Sequence, residues 1–417
     1  MNTDSQNHYN YCALPLAPYA CRPDLSKGRV FEEAESRHRT NFQRDRDRVI
    51  HSSAFRRLKD KAQVFTSAEG DHFRTRLSHS LEVAQIAKTL SRCLMINEDL
   101  AETIALAHDL GHPPFAHMGE DMLKISMQNY GGFAHNDQSL RVLTMLEDRY
   151  VHWKGLNLTW ETLEGVVKHN GPVLGGDQTP SRDHLPVTLY EISQNQCTGP
   201  LDLKLTGYAS LEAQVAAIAD DIAYNNHDIE DGLRAGLFSL SDIAGLKIVQ
   251  TALDKIRDEY GGNLHHRYVV FEMIRNVMGQ MVDDVLTHTR EKLRVLNPQS
   301  PDDIASAGVQ IVEFSPEFLT DVNELRGFLR ERMYHHYEIE RIRFKVGRMI
   351  PQLFDGFMNY PLLLPQRWQA QLIAGKPDHH SDHHRARVIC DYIAGMTDRF
   401  AVLEYRRIFE LSESFFL

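Results

Sequence analysis

The run Ala105-Leu-Ala-His108-Asp109-Leu-Gly111-His112-Pro-Pro-Phe-Ala-His117-Met-Gly-Glu120 decides how the rest of the chain is read. Neighbouring residues on a helix point about 100° apart, so one usually faces the core and the next faces water. Here His108 and Asp109 are both polar, and they end an apolar run, Ile104-Ala-Leu-Ala107. A carboxylate at the end of a buried helix needs a partner, because a lone buried charge is costly. A divalent cation satisfies both side chains. Gly111 and Pro113-Pro114 are expected to stop the helix and leave His112 and His117 on a turn.

A cation needs more ligands, and two further helices offer them. Around Arg74-Thr-Arg76-Leu-Ser-His79-Ser-Leu, residues Leu77, Leu81, Ala84 and Ala87 are read as an apolar stripe carrying His79. Downstream, the alanine-rich run from Leu211 holds Asp220, Tyr224 and Asp228 at i, i+4 and i+8, on one helix face. Asp221 competes with Asp220 as a ligand. Two His and two carboxylates form a mixed N/O site suited to Mn, Fe, Co, Ni, Zn or Mg. A single His on an apolar helix is more often a hydrogen-bonded core residue; four such groups in order make the metal reading the stronger one.

The order His79, His108-Asp109, Asp220 resembles the H…HD…D signature of HD-domain phosphohydrolases. Phe55-Arg-Arg-Leu, Gln63-Val-Phe, His-Asp-Leu-Gly-His-Pro-Pro-Phe, Phe133-Ala-His135-Asn-Asp-Gln-Ser-Leu, Ala219-Asp-Asp-Ile-Ala-Tyr and Asp391-Tyr-Ile-Ala-Gly-Met-Thr-Asp-Arg-Phe are similar to the bacterial deoxyguanosine triphosphate triphosphohydrolase-like proteins, from about Arg39 to Arg407. The resemblance implies one divalent ion on His79, His108, Asp109 and Asp220. It implies a phosphate channel lined by His112, His117 and His135, with His117 or His135 moving protons. It implies a sugar pocket of Tyr224 beneath the deoxyribose, with Asp228 and Gln63 on the 3′-hydroxyl. Glu120, one turn after His117, orients that ring in an acid–base dyad, or else the two are a surface pair. Arg76, on the His79 face, suits an α-phosphate oxygen because a guanidinium fork fits phosphate. Tyr224 reads equally well as an ordinary core tyrosine.

The implied reaction is hydrolysis of a dNTP, dGTP among them, to deoxynucleoside and tripolyphosphate, and the family often forms homo-oligomers, dimers or hexamers. The alternatives are another HD phosphohydrolase (a nucleotide phosphomonoesterase, phosphodiesterase or nuclease) or a nucleotide-binding sensor without turnover.

The 417 residues are 42% hydrophobic with net charge −11, which disfavours broad binding to nucleic acid. Arg37, Arg39, Arg44, Arg46, Arg48, Arg56, Arg57, Lys59 and Lys61 form a basic segment, read either as a salt-bridged helix face or as a phosphate-gathering surface. Five scattered cysteines exclude a disulfide framework and a Cys-type zinc site, and Cys93 reads as a small core residue. The absence of an 18-residue apolar run and of a leader-like N-terminus points to a cytoplasmic protein without membrane partners.

Helical periodicity dominates, and strands and helices do not alternate, so the expected class is all-α: an HD-type helical bundle with additional C-terminal helices and little or no sheet. The expected organisation is an irregular arm over 1–28, a catalytic core over 29–240 and a C-terminal helical region packed on it over 241–417. Predicted helices include 137–146, capped by Asn136 or Asp137, then 211–225, 242–260, 267–296, 316–333, 337–358 and 384–409. Residues 172–200 read as an irregular loop with a brief strand-like 187–192. The His-rich tract 379–384 reads as an exposed polar loop rather than a second metal site.

Overall fold

The computed structural model describes residues 15–63, 74–175, 202–373 and 382–410. Within them the chain is all-α. Between pairs of described residues, extended backbone pairs at two isolated bridges, Arg29 with Thr159 and Ala62 with Thr75. The strand-like 187–192, Phe65 and residues 379–381 of the His-rich tract lie outside the described residues.

The first half contains α1 (Asn41–Ile50), α2 (Ser53–Arg57), α3 (Arg76–Leu94), α4 (Glu98–Ala107), α5 (Ala116–Ser126), α6 (His135–Arg141) and α7 (Trp160–Lys168). It closes with α8 (Leu211–Arg234) and the short α9 (Leu240–Ile243). The second half contains α10 (Lys247–Tyr260), α11 (His266–Leu296), α12 (Pro301–Ala305), α13 (Pro316–Leu329), α14 (Tyr337–Asn359), α15 (Gln366–Ile373), α16 (Asp382–Ala394) and α17 (Asp398–Phe409). Starts are set chemically. Thr40, Ser52, Thr75, Asn97, Thr159 and Ser210 each accept a backbone N–H of the first turn, worth about 1 kcal/mol apiece.

Helix α4 is the axle. From Leu100 to Ala107 all but Glu102 are buried, and the helix packs on α1, α3, α7 and α8. Full burial of Leu100, Ile104 or Leu106 stabilises by roughly 1.5–3 kcal/mol each. Two apolar clusters result. The larger runs from Ala20 through α13 to Ile339 without a break near residue 240. The smaller joins Phe115, Leu123 and Met127 to α14, α16 and α17.

Several expectations are corrected. Leu81 is exposed, because the buried face of α3 runs through His79, Val83, Ile86, Ala87 and Leu90. Cys93 lies off that face and is exposed too. Gly111 does not end α4, which stops earlier. It is required because a Cβ there would sit 2.2 Å from the His135 carbonyl oxygen and the Ser139 nitrogen. Helix α8 continues past residue 225, and the helix expected over 384–409 breaks at Gly395-Met-Thr397 into α16 and α17. The start of α6 is capped by neither Asn136 nor Asp137; Glu120 of α5 accepts the His135 backbone N–H at 3.1 Å.

The salt-bridged reading of the basic segment holds where its partners are seen. Arg44 and Arg48 pair with Glu33, and Arg46 pairs with Asp99 and Glu102. Asp45 is fully buried, taking Arg29, Thr159 and Thr162. These arginines brace α1. Of the His-rich tract, His384 bonds the Gln371 carbonyl at 3.0 Å within the start of α16.

Candidate metal centre and histidine cluster

Helices α3 and α8 and the turn after α4 converge. One ligand atom each from His79, His108 and Asp220 lies within 4.8 Å of the others. Asp109 is beside them: its Oδ1 is 3.3 Å from His108 Nε2 and its Oδ2 4.0 Å from His79 Nε2. Asp221 points elsewhere, pairing with Arg326 at 2.9 Å.

The hydrogen bonds fix what these rings offer. His108 Nδ1 lies 2.6 Å from the Ala105 carbonyl, which only an N–H can satisfy, so in the neutral ring Nε2 carries the lone pair. That Nε2 is buried and has no hydrogen-bond partner, 3.3 and 3.6 Å from carboxylate oxygens of Asp109 and Asp220. His79 is set by a chain: Glu82 Oε2 accepts His227 Nε2–H, and His227 Nδ1 lies 3.1 Å from His79 Nδ1. Burial lowers the His227 imidazole, favouring its neutral form, and Glu82, despite burial, is held low by His227 and Arg74. In the tautomer that donates from Nδ1, the His79 Nε2 lone pair faces Asp220 Oδ1 at 2.8 Å.

Two lone pairs and two carboxylates so close call for positive charge. Burial opposes charge on His108, yet Asp109 and Asp220 push it up to about 9. Burial also works against ionising Asp109 and Asp220, but Arg76 and His108 hold the first, and His108 and His79 the second, well below the usual carboxylate range. An orphaned ring nitrogen, a second imidazole and a pair of carboxylates fit a divalent cation. Arg76 bonds Asp109 Oδ2 at 2.6 Å, while its buried Nε has no partner.

Next to this centre lies a histidine cluster. His112 and His135 stack with ring centroids 3.9 Å apart, and His117 meets His112 edge-on at 5.5 Å. Glu120 is buried between two of them: His135 Nδ1 is 2.9 Å and His117 Nδ1 3.4 Å from its oxygens. Burial is outweighed by these two rings, and Glu120 stays far below the usual range. His117 and Glu120 are therefore not a mere surface pair, although His117 keeps 58% of its side chain exposed. His112 Nδ1 lies 2.9 Å from Asp109 Oδ1 but is not aligned for a hydrogen bond. Burial and Arg76 keep His112 neutral. A Cβ at Gly119 would strike the Pro114 carbonyl at 1.9 Å, so only glycine lets the His-Pro-Pro turn fold back on α5.

On the α8 face beyond Asp220, Tyr224 and Asp228 are joined by Tyr334. Its hydroxyl meets that of Tyr224 and donates to Asp228 Oδ2 at 2.5 Å. Burial pushes Asp228 up to about 8, against the Tyr334 hydrogen bond. Gln63 is buried with its side-chain oxygen unpartnered. Sequence reading missed Tyr334, which sits in a π-turn after α13, and missed His227 and Glu82. His227 was visible in the run before Asp228, and Glu82 one turn after His79. Buried His169, its ring 6.2 Å from His108, was missed as well.

Among the described residues no helix is long and apolar enough to cross a membrane. Residues 76–225 match the HD domain and residues 312–407 match the phosphohydrolase-associated domain. The chain is 51% identical over 398 residues to a deoxyguanosinetriphosphate triphosphohydrolase-like protein of Caulobacter vibrioides, covering 95% of this chain and 97% of that one. It is 49% identical to such a protein of Parvibaculum lavamentivorans, over 95% and 97% of the two chains. Against one of Jannaschia sp. it is 49% identical, over 94% and 95%. The HD domain makes it a hydrolase of the metal-dependent phosphohydrolase type, and the chain belongs to the HD-domain deoxyguanosinetriphosphate triphosphohydrolase-like proteins.

Proposed function

We propose that the protein hydrolyses dNTPs, dGTP among them, to the deoxynucleoside and inorganic tripolyphosphate. The observation that carries this reading is the convergence of His79, His108 and Asp220, with Asp109 alongside, directly against a second set of histidines held by one carboxylate. In this reading those four side chains hold one divalent ion, of Mn, Mg, Fe, Co, Ni or Zn. When bound, such an ion supplies a Lewis acid and acidifies a water.

The chain's own groups do the rest. Glu120 occupies Nδ1 of His117 and His135, so Nε2 of either ring is the atom that passes a proton to the departing 5′-oxygen. His117, the more exposed ring, is the first candidate. Arg76 anchors Asp109 and keeps a buried N–H unspent, available to an α-phosphate oxygen. Tyr224 packs beneath the sugar, where it leaves no room for a 2′-hydroxyl. Asp228 and the unpartnered Gln63 oxygen take the 3′-hydroxyl. At neutral pH Asp228 is protonated and bonds as a neutral acid.

The reading includes action in the cytoplasm and assembly into homo-oligomers, which sedimentation of the purified chain tests. The chemistry is tested by incubating the protein with each dNTP and Mn²⁺ or Mg²⁺ and resolving tripolyphosphate from phosphate. Tripolyphosphate with free deoxynucleoside supports it. Orthophosphate release would replace it with another HD phosphohydrolase activity, and nucleotide binding without turnover with a sensor.

A further inference from the structure

The stretch Asp391-Tyr-Ile-Ala-Gly-Met-Thr-Asp398 takes no part in the chemistry above, yet both its carboxylates are buried. They stand on either side of the break between α16 and α17. Asp391 Oδ1 accepts Gln138 Nε2–H and Arg141 Nε–H, both at 3.0 Å, and Oδ2 accepts Arg141 Nη2–H at 2.7 Å. Gln138 and Arg141 belong to α6, whose first residue is His135. Arg387 of α16 closes the ring by donating to Gln138 Oε1 at 3.0 Å.

Asp398 grips a different segment. Its Oδ1 accepts the Phe115 backbone N–H and its Oδ2 the Ala62 backbone N–H, each at 2.9 Å. Phe115 and Ala116 have φ of +64° and +54°, two side-chain-bearing residues in succession in the left-handed region, directly before His117. That backbone is disfavoured unless its surroundings impose it. Asp398 imposes it from one side, and the apolar cluster around Phe354, Ile389 and Tyr392 takes the Phe115 ring on the other. Lys61 Nζ adds a third tie, donating to the His112 carbonyl at 2.5 Å and the Ala394 carbonyl at 2.9 Å.

We propose that Asp391 and Asp398 are positioning residues: from behind, they hold the two segments that carry His112, His117 and His135. The C-terminal helices thereby set the geometry of the proton-transfer histidines from outside the cation site, whose ligands stand on α3, α8 and the turn after α4. This rests on reading His117 and His135 as the proton-moving groups. Loss of a carboxylate that served stability alone would lower the melting temperature and leave turnover in the folded protein unchanged.

The test is Asp398→Asn in the full chain, which keeps the shape but sets an amide N–H against one of the two backbone N–H groups. kcat falls about ten- to a hundredfold, because small misplacements of reacting groups cost that much, while Mn²⁺ affinity stays near that of the parent. Amide exchange across 111–117 speeds by about tenfold, and exchange in α3 and α4 does not change. Parent-like kcat in the folded variant overturns the proposal, as does Mn²⁺ affinity falling in step with kcat. If the parent yields no tripolyphosphate from any dNTP, the triphosphohydrolase reading fails by itself. The exchange and Mn²⁺ readouts then decide the clamp, and unchanged exchange over 111–117 overturns it. Asp391→Asn carries the same test at 135–141 should Asp398→Asn not fold.

Discussion

The two groups of histidines at this site are held in opposite ways. His79 and His108 are almost wholly buried, and each has its Nδ1 committed by a separate device, the His227–Glu82 chain and the Ala105 carbonyl. Each is left with one lone pair aimed at the same carboxylates. His117 and His135 share a single acceptor, Glu120, and keep 58% and 22% of their side chains exposed. Ligands gain from rigidity, because a fixed lone pair loses little freedom when it is used. Groups that move protons gain from access to solvent and substrate.

The predicted effects that break this contrast run from large to small. His108→Ala removes one of the four proposed ligands. Losing the ion's several kcal/mol of transition-state stabilisation predicts a fall in kcat of about 10³-fold or more, together with lost metal, read by turnover and metal analysis. His117→Ala keeps the metal and loses kcat by about 10²–10⁴-fold; parallel loss of metal would place His117 with the ligands. His227→Ala leaves His79 in place but frees its tautomer, and Mn²⁺ affinity drops about 10–100-fold, with Glu82→Gln following in the same direction.

The smallest effect is one of stability. Burial raises Asp228 from 3.8 to about 8. The folded state then holds a proton that the unfolded chain releases, so stability is full below pH 3.8 and is lost as pH rises towards 8. Asp228→Asn, which stays neutral and still accepts from Tyr334, is predicted to be more stable than the parent by about 1–2 kcal/mol at pH 8 and equal to it near pH 4. Metal-free thermal melts at the two pH values check this.

How much of this the sequence carried depends on how far apart the partners sit. His108-Asp109 are adjacent, and Asp220, Tyr224 and Asp228 share a face of one helix, so periodicity alone brings them together. The all-helical class was legible for the same reason. Tyr334, His227 as a partner of His79, and the grip of Asp398 on Phe115 all arise from chain segments meeting in space. Local pattern carries no trace of that. Where expectation failed, a tertiary contact had overruled a local rule: Glu120 caps α6 in place of Asn136, and Gly111 is small for the sake of α6 rather than to end α4.

The central claim is that four side chains from three places in the chain hold one cation. The most direct measurement is equilibrium dialysis of Mn²⁺ against the apo-protein and against Asp220→Ala, with folding of each checked by circular dichroism. The account predicts one tightly held ion per parent chain and its loss in the folded variant. Undiminished Mn²⁺ binding by Asp220→Ala would contradict it.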